Sequence, residues 1–138
     1  MKNTMPVVTI AFLLTVVFAA SALAGDSARP PSIVGTWTGN GSFMDQKTAT
    51  VTTIPVVFVV NYQKSGLIQG AVEENPPDSF LSFSVTGTFA NPNIAFSGID
   101  ADGVTAFGYG QLVGKKIKLQ LYDFKNGTTS VTLKKKGS

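Results

Sequence analysis

Hydrophobic and polar residues alternate with a period of two along most of the chain after residue 32. This period is typical of β-strands that turn one face to a core and the other to water. The clearest example is 80–89, where Leu81, Phe83, Val85 and Phe89 share one face and serines and threonines form most of the other. The pattern predicts eight strands, separated by turn-forming residues, and no helix beyond residue 24. They are 33–43, 50–62, 67–74, 80–89, 94–99, 104–113, 115–124 and 128–135.

The connections between these strands are short, which favours antiparallel pairing of neighbours in chain order. Asn126-Gly127 and Asp102-Gly103 carry the residues that tight hairpin turns require. Eight strands in up-and-down order close readily into a barrel whose interior holds side chains or one small ligand. We therefore predict an all-β, eight-stranded antiparallel up-and-down barrel over residues 33–136. A β-sandwich is the alternative.

The start of the chain has the features of an export signal. A basic residue, Lys2, is followed by an uncharged apolar run and by Ala22-Leu23-Ala24, which predicts a signal peptide over 1–24 with cleavage after Ala24. An uncleaved anchor is the alternative. Residues 25–32 form a predicted flexible lead-in, and the expected location is periplasmic or secreted. The chain has no cysteine, so neither disulfides nor a lipidated cysteine can contribute.

Charge is distributed unevenly along the predicted mature chain. Three basic and seven acidic residues lie in 25–110, whereas seven lysines and one aspartate lie in 111–138. One interpretation is an anionic partner, such as a membrane surface or a polysaccharide. The other, which the sequence favours, is a solubilising face and lysines that protect an edge strand. We expect no nucleic-acid partner, because the aromatic residues are not interleaved with the lysines.

The residue types that most enzymes use are missing. Without histidine or cysteine, the chain cannot form Ser-His-Asp or Cys-His machinery, and it lacks nitrogen and sulfur ligands for zinc. The carboxylates are expected to be solvated turn and edge residues; this includes Glu74 and Asp123. We predict no enzyme, no cofactor and no metal site. A cyclase-type barrel that shapes a reactive substrate is the remaining enzymatic alternative.

Gly35-Thr36-Trp37 on the first strand resembles the calycin group of small barrels, which includes lipocalins and avidins. The segments 66–70 and 85–89 are similar to avidin-like chains. The resemblance implies that Trp37 closes one end of the barrel under a basic residue of the last strand, for which we take Lys134 from the run 134–136. Avidin-like proteins also use further tryptophans and a tyrosine on strand three. Here Val72 stands at that tyrosine's position, so the resemblance does not extend to biotin binding.

Two functional hypotheses follow from these predictions. The first is an exported barrel that binds an apolar or amphipathic small molecule in its lumen, with Tyr62, Phe107 and Tyr109 as ligand contacts. The alternative is a protein-interaction or inhibitor-type barrel that acts through its outer surface. The segment 54–60 is apolar on both faces, so partner binding or self-association through Val56, Phe58 and Val60 is expected in that case. We expect no integral membrane insertion, because the chain ends in a run of lysines without an aromatic belt.

Overall fold

A computed structural model of the protein describes residues 29–75 and 80–137. All eight strands lie in the unit Ser32–Ser138. The predicted signal peptide lies outside the described residues. Of the predicted lead-in, residues 29–32 are described; they are exposed and adopt no strand.

The eight predicted strands are all present, with ends within two residues of the predicted ones. They are β1 (Gly35–Asp45), β2 (Val51–Lys64), β3 (Leu67–Glu74), β4 (Leu81–Ala90), β5 (Asn93–Ile99), β6 (Thr105–Val113), β7 (Lys116–Asp123) and β8 (Gly127–Lys135). Each strand pairs antiparallel with the next, and β8 pairs with β1 through positions such as Gly41 and Val131. The closed up-and-down barrel is therefore confirmed, and the β-sandwich alternative is wrong.

Closure changes the interpretation of the lysine-rich last strand. β8 is hydrogen-bonded to β7 on one side and to β1 on the other. It is not an edge strand, so its lysines do not protect an edge.

The core consists of the inward side chains of all eight strands. At its centre the rings of Phe58 and Phe96 stack, with centroids 5.1 Å apart and planes at 24°. Fully buried aliphatic side chains belong to the same core; the largest are Ile33, Ile54, Ile94, Ile117, Leu119 and Leu133. The apolar face predicted for 80–89 is also buried, at Phe83, Val85 and Phe89.

The barrel has two ends of different construction. At the end where β1 begins, backbone hydrogen bonds tie turns to neighbouring strands, as from Phe89 N–H to Gly66 O (2.8 Å) and from Lys136 N–H to Thr36 O (2.7 Å). At the opposite end, aspartates hold the turns. Asp123 Oδ1 accepts from Lys125 N–H at 2.8 Å, and such side-chain bonds fix a turn locally.

In residues 29–75 and 80–137, no helix has the length and apolarity needed to cross a bilayer.

Candidate binding surface

The interior of the described barrel is closely packed around Phe96. An interior cavity of about 10 Å³ lies among Val72, Phe83, Phe96 and Leu121, which is about the space that one water molecule needs. The ring of Phe96 lies so close to Gly108 that a Cβ there would be 2.0 Å from the ring. This cavity, among the described residues, is too small for an organic ligand.

The three predicted ligand contacts lie outside the barrel. Tyr62, Phe107 and Tyr109 are 49%, 51% and 53% exposed. Phe107 and Tyr109 are two residues apart on the outer face of β6, whereas Tyr62 lies on β2. Strict alternation from Phe58 and Val60 would turn Tyr62 inward, but the pairing of β2 with β3 shifts between Val60 and Tyr62. This bulge sends the tyrosine outward. A role in binding is thus open to these residues only on the outer surface.

Two of these residues belong to a larger group, which we call the aromatic cluster: Phe107, Tyr109, Tyr122 and Phe124. Tyr109 and Tyr122 stack with ring centroids 5.9 Å apart and planes at 15°. Phe107 and Phe124 meet edge to face at 5.8 Å. Phe107 also lies directly opposite Tyr122 in the pairing of β6 with β7, so the four rings form one continuous surface.

Sequence reasoning missed Tyr122 and Phe124. For Tyr122 the signal was present, because Ile117, Leu119 and Leu121 face inward and their alternation turns Tyr122 outward. Phe124 lies in the turn after β7, where alternation gives no orientation.

Hydrogen-bonded polar side chains lie beside the cluster. Gln111 donates to Asn93 Oδ1 at 3.1 Å, and Gln120 donates to Ser130 Oγ at 2.9 Å. The hydroxyls of Tyr109 and Tyr122 are 3.4 Å apart, and this hydrogen bond raises the pKa of Tyr122 above its ordinary value. Apolar rings at the centre and satisfied polar groups at the rim are the arrangement of a protein interface.

A shallow groove borders the cluster on the outer face of β4, β5 and β6. Its volume is about 500 Å³. It is lined by Thr86, Gly87, Ala95, Phe96, Ser97, Phe107, Gly108, Tyr109 and Tyr122. Small residues on β5 leave this space beside the larger rings of β6 and β7.

Comparison with known proteins adds no family to this description. No protein-family model matches the chain. No curated protein matches it. The function therefore has to be argued from the residues themselves.

The residues predicted to contact a partner are in the core. Val56, Phe58 and Val60 are 1%, 0% and 1% exposed. They lie on the inward face of β2, while Val57 and Val59 on its outer face are partly covered. The predicted association through Val56, Phe58 and Val60 is therefore corrected, because no partner can reach these side chains in the folded barrel.

Trp37 is buried near the end where β1 begins, with 3% of its surface exposed. Its Nε1–H donates to Ile33 O at 2.8 Å. The cation over its ring is Lys135, whose Nζ lies 5.8 Å from the ring centroid. The predicted Lys134 faces outward and is exposed. Lys135, rather than Lys134, lies over Trp37 because Lys135 is the residue that pairs with Trp37 between β8 and β1.

Two carboxylates that were expected to be solvated are buried at the opposite end. Glu74 and Asp123 are 3% and 6% exposed, since each continues the inward face of its strand. Burial, with the nearby charge of Asp123, raises the pKa of Glu74 to about 7, although a hydrogen bond with Thr129 acts in the other direction. Asp123 is engaged by the turn after β7. Among residues 29–75 and 80–137, no three carboxylates group closely enough to hold a metal ion.

Proposed function

We propose that this protein is an exported, non-enzymatic barrel of the lipocalin and avidin type that binds a protein partner through the aromatic cluster on its outer face. The observation that carries the proposal is that four large rings lie together in solvent on the outer face of the barrel. Their exposed fractions are 51% for Phe107, 53% for Tyr109, 38% for Tyr122 and 62% for Phe124.

The free energy available from covering these rings is substantial. Complete burial of one large apolar side chain contributes about 1.5–3 kcal/mol. Contiguous apolar patches of this kind mark interaction sites on soluble proteins. Tyrosine is also enriched among the residues that dominate binding energy at interfaces. The cluster therefore provides the type of side chain and the exposure that a protein partner would use.

The cluster is also ordered before any partner arrives. The rings pack in pairs. The pairing of β6 with β7 also fixes the spacing of Phe107, Tyr109 and Tyr122. Side chains that are already held lose less conformational entropy on binding. An outer face on paired strands gives such support, whereas a mobile loop does not.

The test compares Phe107→Ser/Tyr109→Ser with Tyr62→Ser, a matched change at an exposed tyrosine outside the cluster. The wild-type sequence and both variants are each produced with a photo-crosslinking residue in place of Lys125, which is exposed next to Phe124. Crosslinked partners are quantified by mass spectrometry after production in the native cells. We expect the wild type and Tyr62→Ser to capture the same partner in similar amounts. The amount captured by the cluster variant should be at least about tenfold lower. Equal capture by all three proteins would refute the proposal.

The groove beside Tyr109 favours a second candidate, an apolar or amphipathic small molecule. Its volume of about 500 Å³ is within the usual range of roughly 300–1,000 Å³ for ligand sites. Native mass spectrometry of gently purified protein tests this candidate. A reproducible extra mass that disappears with Tyr109→Ser would favour the small molecule, and a bare protein would favour the protein partner.

A further inference from the structure

The charges of the barrel are separated between its two ends. Among the described residues, every carboxylate side chain belongs to the end where β1 stops: Asp45, Glu73, Glu74, Asp100, Asp102 and Asp123. Seven lysines lie at or near the other end. One is Lys135, which lies over Trp37; the surface formed by the other six we call the lysine end: Lys64, Lys115, Lys116, Lys118, Lys134 and Lys136. The described part of the chain thus supplies no carboxylate to neutralise the lysine end.

Two of these lysines are neighbours. Lys116 lies directly opposite Lys134 in the pairing of β7 with β8. Like charges in directly opposite positions destabilise a sheet. Since β8 is paired on both sides, protection of an edge does not account for them. The lysines therefore form a positively charged surface, and binding of an anionic partner to it would be electrostatically favourable.

Apolar side chains are interspersed among these charges. Val113, 47% exposed, lies opposite Lys116 in the pairing of β6 with β7. Leu67, 57% exposed, lies opposite Lys64 in the pairing of β2 with β3. Tyr62, on the same outer face of β2, is 49% exposed. Lysines mixed with exposed aliphatic and aromatic side chains are characteristic of surfaces that lie at a lipid interface.

We propose that the lysine end docks on the surface of an anionic phospholipid bilayer. Each lysine near such a surface contributes about 1 kcal/mol, and the contribution falls as salt increases. Leu67 and Val113 would enter the boundary between headgroups and acyl chains. These apolar side chains favour a lipid surface over a soluble polyanion, which would attract the lysines but would not bury leucine or valine. The proposal uses residues separate from the aromatic cluster, so either can fail without the other.

The test measures binding to vesicles of phosphatidylcholine with 30% phosphatidylglycerol by flotation, using the protein as its cells process it. The variant is Lys116→Glu/Lys134→Glu. The matched control is Lys47→Glu/Lys125→Glu, which makes the same change in net charge at the opposite end. We expect the first variant to bind at least about tenfold more weakly than the wild type, and the control to bind within about threefold of it.

Leu67→Ser/Val113→Ser provides the second measurement, and we expect it to weaken vesicle binding at least about threefold. If wild-type protein does not bind these vesicles at low salt, or if both charge variants lose binding equally, the proposal is refuted. If the apolar variant binds vesicles normally and the wild type binds dextran sulfate equally well, the partner is an anionic polymer and the lipid proposal is wrong.

Discussion

The ring of Phe96 occupies the space that a side chain at position 108 would need. A Cβ added to Gly108 would lie 2.0 Å from Phe96 Cζ, well inside van der Waals contact. This relationship explains how β6 can carry large rings on its outer face and glycine on its inner face. The neighbouring strand β5 supplies the volume that fills the barrel beneath Gly108.

Gly108→Ala should therefore destabilise the barrel by about 1–3 kcal/mol, the usual cost of overpacking a core. Chemical denaturation followed by circular dichroism measures the change. Phe96→Leu in the same chain removes part of the ring and makes room for the new methyl group. The double variant should lose less free energy of unfolding than the sum of the losses of the two single variants. If the losses simply add, the close contact between position 108 and the ring of Phe96 is contradicted.

Core and surface positions should respond differently to the same substitution. Phe58→Ser should lower the free energy of unfolding by at least about 3 kcal/mol, because Phe58 is fully buried and stacks on Phe96. Phe107→Ser is the matched change on the outer face. It should cost less than about 1 kcal/mol, since few core contacts are lost. Equal losses in a denaturation experiment would contradict the assigned orientation of β2 or β6.

The strands that could be predicted best are those in which only one face is apolar. In β4 serine and threonine alternate with Phe83, Val85 and Phe89, so pattern and orientation agree. In β2 both faces are apolar, and in β6 rings alternate with glycines. The face that turns inward then depends on the volume of the side chains that other strands place in the core. The pattern within a single strand does not contain this information.

The same period of two also predicts the inward orientation of Lys135 and Glu74, which the sequence analysis did not recognise. Val131 and Leu133 face inward, and continuing that alternation leads to Lys135 rather than Lys134. Glu74 likewise follows Ile68 and Val72 on the inner face of β3. Polar residues at strand ends were expected to be solvated because they are charged. Their burial is instead decided by which face of the strand they lie on. The bulge before Tyr62 is different, because a shift in pairing leaves no clear mark in the sequence.

The two adjacent lysines should have distinguishable effects on stability. Lys135→Met keeps an apolar stem but removes the cation over Trp37, so we expect a loss of about 0.5–1 kcal/mol. Lys134→Met removes one of two like charges that face each other across β7 and β8. It should be neutral or stabilising by up to about 1 kcal/mol. Denaturation at low salt compares the two variants, and a larger loss for Lys134→Met would support the original assignment of that residue.

Burial of Glu74 should make the barrel less stable as pH rises through the acidic and neutral range. The folded-state pKa of Glu74 is raised from 4.5 to about 7, so between these values the folded protein binds a proton that the unfolded chain does not. The free energy of unfolding should therefore fall as pH increases from about 4.5 to about 7 and then level off. The difference in pKa corresponds to roughly 3 kcal/mol at most.

Glu74→Gln tests this linkage, because the amide keeps the shape and stays neutral. Denaturation curves at pH 5 and pH 8 should differ markedly for the wild type and much less for Glu74→Gln, which should be the more stable protein at pH 8. Glu73→Gln, at the adjacent position on the outer face of β3, is the matched control and should retain the wild-type difference. A pH dependence that survives Glu74→Gln unchanged would assign it to another group.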